Sequence, residues 1–370
     1  MNFWQQLRNK ANNPPTGGKP FFCVAPMADV TDAAFRQLIT KYGKPDVMWT
    51  EFVSANGLMS GGREILKRDL SFIDAERPIV AQLFSSSPEN MEGAAKLASE
   101  LGFDGVDINM GCPDKTIEKQ GSGAGMIKTP EVAISVIVAA KRGIRASGRD
   151  IPVSVKTRVG YHSPEIKDWI GLLLEQNIAA LTVHARTRKD LSKAPAQWHY
   201  IKEVVALRDR ISPETVIIGN GDVISLADGK EKALASGADG VMVGRALFGN
   251  PWFFDESRQI VATLPKKQIL LIRKIPFLKR WFDTRRSAAV SLIKPITTIE
   301  RLSVMVEHSK LFEKILGDIK SFSVMKKHFK AYVMGFDGAK DLRVRLMETS
   351  SAEEVETIVK EFLTKIENKI

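Results

Sequence analysis

A cysteine in a Gly-Cys-Pro turn is the first residue that could do chemistry. Cys112 follows the run Asp107-Ile108-Asn109-Met110-Gly111 and precedes the glycine-rich stretch Gly121-Ser122-Gly123-Ala124-Gly125. An ordinary thiol titrates at about pH 8.5 and is mostly protonated at neutrality. It can therefore give up a proton as a general acid as well as act as a nucleophile. Mobile glycines beside it suit a loop that closes over a substrate. The second cysteine, Cys23, lies in an apolar run and reads as a small buried hydrophobe.

Two further segments have the chemistry of an anion cradle. Gly219-Asn220-Gly221-Asp222 and Gly244-Arg245-Ala246 each end an apolar run. Glycine lets a backbone approach a ligand closely, free N–H groups can point at an anion, and Arg245 could add charge. Lys156 and His184 belong to neighbouring runs of the same kind. Lys156 could stabilise negative charge on an electron-rich ring, and His184 could donate a hydrogen bond to a phosphate or to that ring. As a pair beside a phosphate loop they read as cofactor ligands.

The elements that must position these residues follow from the apolar pattern. Short runs start at Phe21, Val47, Pro78, Gly105, Pro152, Ala180, Val216 and Gly240. Each is apolar through most of its length rather than alternating, as expected of strands buried on both faces of a parallel sheet. Helical periodicity fills the gaps, for example over 89–101, 130–142 and 166–175, and Gly102 and Gly237 stand where left-handed C-caps are expected. Eight strand–helix units in roughly 250 residues predict an α/β fold, a (β/α)₈ TIM barrel, with its chemistry at the C-terminal strand ends. Gln82, Asn109, Lys156, Arg158, His184, Arg186, Arg188, Asn220 and Arg245 gather at those ends. A doubly wound open sheet is the alternative, but the first turn, Ala25-Pro26-Met27-Ala28-Asp29-Val30-Thr31-Asp32, lacks G-x-G-x-x-G.

After Phe254 the pattern changes. Residues 266–286 interleave basic and bulky apolar side chains, and from Thr298 the chain reads as helical. Ser351 and Glu354 form a capping-box pattern ahead of Val355, Ile358, Val359, Phe362 and Ile366 at helical spacing. The expected organisation is a barrel over 1–254, a basic connector over 255–297 and a small all-α helical domain over 298–370.

Charge sharpens this division. The 370 residues carry a net +11, and all of the excess lies between Glu256 and Lys330, where 17 basic residues face 6 acidic ones. So concentrated a charge points to a polyanionic partner. Two cysteines without C-x-x-C exclude a cysteine-built zinc or iron–sulfur site and a disulfide-built domain, and no metal site is expected. No apolar stretch has the length of a signal peptide core or a membrane span, so the protein is expected to be cytoplasmic, without membrane association.

In order along the chain stand Ala25-Pro26-Met27-Ala28 with Val30-Thr31-Asp32, then Ala81-Gln82-Leu83, Asp107 to Pro113, and Val155-Lys156-Thr157-Arg158. His184-Ala185-Arg186-Thr187-Arg188, Asn220-Gly221-Asp222 and Gly244-Arg245-Ala246 follow, and then Lys326-Lys327-His328 with Tyr332, Gly338 and Leu342-Arg343. In these motifs, from about Ala25 to the C-terminus, the sequence resembles the tRNA-dihydrouridine synthases, the Asn-Met-Gly-Cys-Pro turn being the most specific. The resemblance implies FMN held by the Pro26-Met27 backbone, Gln82, Lys156, His184, Asn220, Gly221, Asp222, Gly244 and Arg245. It implies NADPH as the reductant, with NADH open, and tRNA as the partner; a monomer would suffice for this chemistry. Asn109 would hydrogen-bond the target uracil, Arg186 and Arg188 would hold its nucleotide, Lys326 and Lys327 would contact the tRNA, and Cys112 would protonate C5 after hydride reaches C6.

The chain departs from the family pattern at Lys326, where arginine is usual; lysine keeps the charge but loses the two-pronged phosphate geometry. The connector is also longer, and its basic–apolar mix could bind RNA, lie on a membrane surface or pack on the barrel. Two other readings are a free-pyrimidine flavin reductase, which needs no basic helical domain, and a non-catalytic RNA-binding barrel, which needs neither Cys112 nor the cofactor ligands.

Overall fold

In the computed structural model, which describes residues 1–12, 18–259 and 294–367, all eight predicted strands form. They are β1 (Phe21–Val24), β2 (Met48–Ser54), β3 (Ile79–Phe84), β4 (Gly105–Met110), β5 (Val153–Arg158), β6 (Ala180–His184), β7 (Val216–Asn220) and β8 (Gly240–Val243). Each pairs in parallel with its neighbour in the order β1-β8-β7-β6-β5-β4-β3-β2. A parallel bridge between Cys23 and Val47 joins the first strand to the second. Val24 N–H donates to the Val47 carbonyl at 3.2 Å across that seam, so the sheet closes as a TIM barrel.

Helices separate the strands: α1 (Phe3–Asn12) precedes the barrel, and α2 (Ala33–Gly43), α3 (Ala55–Leu58), α4 (Arg63–Asp69), α5 (Pro88–Glu100), α6 (Lys115–Lys119), α7 (Pro130–Ala146), α8 (Gly171–Leu174), α9 (His199–Ile211) and α10 (Leu226–Ser236) lie between or after its strands. Local chemistry sets their ends. Ser87 Oγ accepts the Asn90 N–H at 3.2 Å and Pro88 takes the first turn, where its missing N–H costs nothing. Gly102 (φ 89°) and Gly237 (φ 77°) adopt the expected left-handed conformation behind α5 and α10.

The strands bury nearly every side chain, and all six residues of β4 are buried. An unexpected element completes the core. Helix α1 was not among the expected elements, yet its Trp4 is fully buried and packs with Phe21, Val47, Trp49, Val80, Val216 and Met242. The Trp4 and Trp49 rings stand 5.4 Å apart.

Contacts divide the chain into two compact units, residues 1–40 with 45–246, and residues 41–44 with 247–370. The second contains the short parallel pair β9 (Arg258–Gln259) and β10 (Lys294–Pro295), then α11 (Thr298–Leu316), α12 (Met325–Tyr332), α13 (Ala339–Met347) and α14 (Ala352–Glu367). Leu302, Met305, Phe312, Phe329, Tyr332, Val355 and Val359 are buried there. His308 and His328 are fully buried among them with ring centroids 4.5 Å apart. The cap of α14 is half as expected: Ser351 Oγ accepts the Glu354 N–H at 3.2 Å, but the Glu354 carboxylate reaches back to Ser350 N–H at 2.7 Å rather than to Ser351. Most of the basic connector read at 266–294 lies outside the described residues. Among the described residues no helix is long and apolar enough to cross a membrane.

Candidate active site

Register alone brings the chemical residues to one end of the barrel. Gln82 pairs with Asp107, Asn109 with Lys156, Arg158 with His184, and His184 with Asn220 across adjacent strands. A cleft of about 690 Å³ opens at the ends of β1 and β5 to β8. Pro26, Met27, Lys156, His184, Arg186, Asn220, Gly221, Asp222, Gly244 and Arg245 all line it. Gln82, Asn109 and Cys112 lie on the neighbouring strand ends, and Arg188 stands apart from the cleft wall. Lys326 and Lys327 are on α12 of the second unit, half-buried and exposed respectively.

The turn after β1 is held from behind. Thr31 Oγ1 accepts the Met27 N–H at 2.8 Å, and Arg36 donates to the Thr31 carbonyl at 3.0 Å. Arg36 is itself fixed by Glu76 at 2.6 Å, both side chains being completely buried. The opposite wall is a network around Asp222. Its carboxylate accepts from Arg186 at 2.6 Å, Arg245 at 2.5 Å and the Ala196 N–H at 2.8 Å. Burial opposes its charge, but Arg186, Ala196 and Arg245 hold the carboxyl below the usual range. Trp198 backs the same turn and donates its indole N–H to the Gly221 carbonyl at 2.8 Å.

Arg186 is enclosed rather than presented to solvent. It is 3 % exposed and donates to the Ala194 carbonyl at 2.6 Å, to Asp222, and to His184 Nε2 at 3.0 Å. Guanidinium has no acceptor, so His184 must accept at Nε2 and carry its proton on Nδ1. Burial, then Arg158, Lys156, Arg186 and Arg245, push the His184 pKa well below its ordinary value and keep the ring neutral. Arg188 forms a two-pronged ion pair with Glu118 of α6 and lies over the Tyr161 ring, 5.4 Å from its centroid. Lys156 is half-buried, and burial with the Arg158 charge lowers its ammonium to about 8.

Cys112 is half-buried, and burial pushes its thiol up; the Asp114 backbone N–H, Lys156 and Arg158 oppose the rise, while the Asp114 carboxylate adds to it. The thiol is thus protonated at neutral pH, yet two cations favour the thiolate left behind by a proton transfer. Arg158, brought down to about 10 by burial, donates to the Gly111 carbonyl at 2.8 Å and to the Thr187 and Leu191 carbonyls at 3.0 and 2.9 Å, so it staples the cysteine turn to the loop after β6. The expected closing loop of glycines is corrected here. Residues 122–127 are buried, the Ala124 N–H donates to the Cys112 carbonyl at 2.9 Å, and a Cβ on Gly123 would lie 2.7 Å from that carbonyl. Gly123 is needed for close approach beneath Cys112, and the segment is packed rather than open.

Sequence reasoning assigned no role to Asp107, Arg158, Trp198 or Glu118. Asp107 carried a signal, an acid inside an otherwise apolar strand, which is costly unless paired. Trp198 and Glu118 carried none.

A closed parallel barrel with a cationic, glycine-bordered cleft and a protonated thiol at its C-terminal end has the arrangement of a barrel enzyme, whose chemistry lies at that face. The family model described as "Dihydrouridine synthase (Dus)" matches residues 23–368, and the chain belongs to that family. It is 35 % identical over 372 residues to the "Probable tRNA-dihydrouridine synthase" of Staphylococcus aureus (strain COL), covering 100 % of this chain and 98 % of that protein. It is also 35 % identical over 363 residues to the "Probable tRNA-dihydrouridine synthase 2" of Bacillus subtilis (strain 168), covering 98 % and 96 %. Among solved structures, the histamine dehydrogenase of Rhizobium sp. 4-9 aligns with a TM-score of 0.47 and 13 % identity over 78 % of this chain and 48 % of that one.

Proposed function

We propose that the protein reduces uridine to 5,6-dihydrouridine in tRNA, with FMN as cofactor and NADPH as reductant, acting as a cytoplasmic monomer. The observation that carries this reading is an anion-receptive cleft and a protonated thiol on neighbouring strand ends of one barrel, within a chain of the dihydrouridine synthase family.

The donor set fits FMN. Lys156 and Arg245 are cations suited to a phosphate or an electron-rich ring, and neutral His184 offers one N–H, at Nδ1. The Pro26-Met27 backbone, Gln82, Asn220, Gly221, Asp222 and Gly244 would complete the set. When bound, the flavin supplies a hydride, received from NADPH, for C6 of the uracil. Cys112 gives its proton to C5, and Lys156 and Arg158 favour the resulting thiolate until solvent reprotonates it. Asn109 would hydrogen-bond the uracil with the amide N–H it does not spend on Gln82. Arg188 would hold the nucleotide by exchanging Glu118 for a phosphate, while enclosed Arg186 serves by fixing His184 and Asp222.

A base stacked in folded RNA cannot enter such a cleft unless it leaves its stack, at a cost of a few kcal/mol. Contacts to the tRNA body must offset that cost, and the +11 charge of residues 256–330, including Lys326 and Lys327, provides for them. The test is to incubate purified protein, FMN and NADPH with tRNA and map dihydrouridine by mass spectrometry. New dihydrouridine at a defined position is the expected result. A yellow, folded protein that leaves tRNA unchanged but reduces free pyrimidines would replace this reading with that of a small-molecule reductase.

A further inference from the structure

Asp107 lies two residues before Asn109 on β4, fully buried, directly opposite Gln82 on β3 and Ser154 on β5. One carboxylate oxygen accepts from Gln82 Nε2 at 2.7 Å and the other from Ser154 Oγ at 2.6 Å. Gln82, also fully buried, accepts from Asn109 Nδ2 through its Oε1 at 3.0 Å. Asn109 Oδ1 in turn accepts the backbone N–H groups of Gly111 and Cys112 at 3.1 and 3.0 Å. A single line of hydrogen bonds thus runs from a buried carboxylate through two amides to the turn that carries the thiol.

The two ends of this line fix its direction. Backbone N–H groups can only donate, and a carboxylate can only accept. The amides between them could each be turned over, since their two ends are alike in shape. With Cys112 N–H demanding an acceptor at one end and Asp107 demanding a donor at the other, only one orientation of Gln82 and Asn109 satisfies every bond. Each buried amide has one N–H left over. We propose that Asp107 is a positioning residue, which orients the Gln82–Asn109 pair and through it holds the Cys112 turn in place. Burial raises the Asp107 carboxyl to about 6, with Ser154, Gln82 and Lys156 opposing the rise, so it is ionised at neutral pH and the line has its acceptor.

The inference gives Asp107 a purpose only if Cys112 is the acid of the proposed reaction, but its test reads the thiol and needs no substrate. Cys112 is half-buried and Cys23 fully buried, so iodoacetamide labelling of the native full-length protein, followed peptide by peptide, reports Cys112 while Cys23 reports unfolding. Asp107→Leu removes the acceptor while keeping the branched shape of the side chain, and Gln82→Met severs the line one step further on. Each should speed Cys112 labelling about fivefold, the weight of one lost hydrogen bond, and lower its apparent thiol pKa as the turn loosens toward water. The double variant should add nothing beyond either single change, because a line already cut cannot be cut again. Asp107→Asn keeps an acceptor oxygen for Gln82 while its amide donates to Ser154, and should label within about a factor of two of the parent protein. A folded Asp107→Leu protein with unchanged labelling rate and thiol pKa overturns the proposal, as does an Asp107→Asn protein that behaves like Asp107→Leu. Should Asp107→Leu not fold, Gln82→Met decides alone: faster labelling with Cys23 still protected supports the line, and an unchanged rate overturns it.

Discussion

Gly219→Ala would test how the proposed flavin cradle is held. Gly219 lies one residue before Asn220 at the end of β7. A Cβ placed there would stand 2.4 Å from Trp198 Cζ3 and 2.6 Å from Cη2, distances no carbon pair tolerates. The indole must move, and it then gives up its hydrogen bond to the Gly221 carbonyl, now 2.8 Å. Overpacking of this kind costs about 1–3 kcal/mol and the lost hydrogen bond about 1 kcal/mol, so the substitution should destabilise the barrel by about 2–4 kcal/mol. The damage is also local, because Gly221 and Asp222 form the turn that Trp198 supports. Denaturant titration should show the loss in stability, and fluorescence titration with riboflavin 5′-phosphate should show binding weakened about tenfold or more, equivalent to 1.4 kcal/mol or above. Combining Gly219→Ala with Trp198→Leu should recover most of the packing loss but not the binding loss. A Gly219→Ala protein that unfolds and binds like the parent would refute the claim that Trp198 sets this turn.

Other predictions follow from the same geometry. Cys112→Ala should leave flavin and tRNA binding intact and slow uridine reduction about 10²–10⁴-fold, measured as dihydrouridine formed per minute. Lys156 loses its charge above pH about 8, so riboflavin 5′-phosphate should bind more weakly as pH rises through that value, and Lys156→Met should bind weakly at every pH without the step. His308 is held well below its ordinary pKa, and burial with the Lys327 charge takes His328 down to about 3. Both are neutral when folded but titrate at about 6.5 when unfolded, so the second unit keeps its stability above that pH and loses it toward pH 3, by about 1.4 kcal/mol per pH unit for each histidine. Thermal melts of His328→Leu, if it folds, should show a shallower acid dependence.

The barrel was legible because strands buried on both faces read as largely apolar runs, as Phe21–Val24 does. The cleft residues were legible because polar side chains at the ends of such runs have no place in a core. What the chain did not reveal depends on partners distant in sequence. Asp107 meets Gln82 across 25 residues and Trp198 meets Gly221 across 23, contacts fixed by strand register and loop path rather than by local pattern. Arg186 and Arg188 are two residues apart in one motif, yet one is enclosed by Asp222 and His184 and the other paired with Glu118. The glycines at 121–125 read as mobile because composition cannot distinguish a glycine needed for freedom from one needed for close approach, which is what Gly123 supplies beneath Cys112. Helix α1 was missed although Phe3, Trp4, Leu7 and Ala11 stand at helical spacing, because it is short and lies ahead of the first strand.

The most direct test of the central claim is a single turnover. Protein loaded with FMN and reduced by one equivalent of NADPH would be mixed, without oxygen, with tRNA free of dihydrouridine. The account predicts one dihydrouridine formed per flavin reoxidised with native protein, and far slower reoxidation with Cys112→Ala. Flavin that stays reduced in the presence of tRNA, or reoxidation at the native rate in Cys112→Ala, would contradict it.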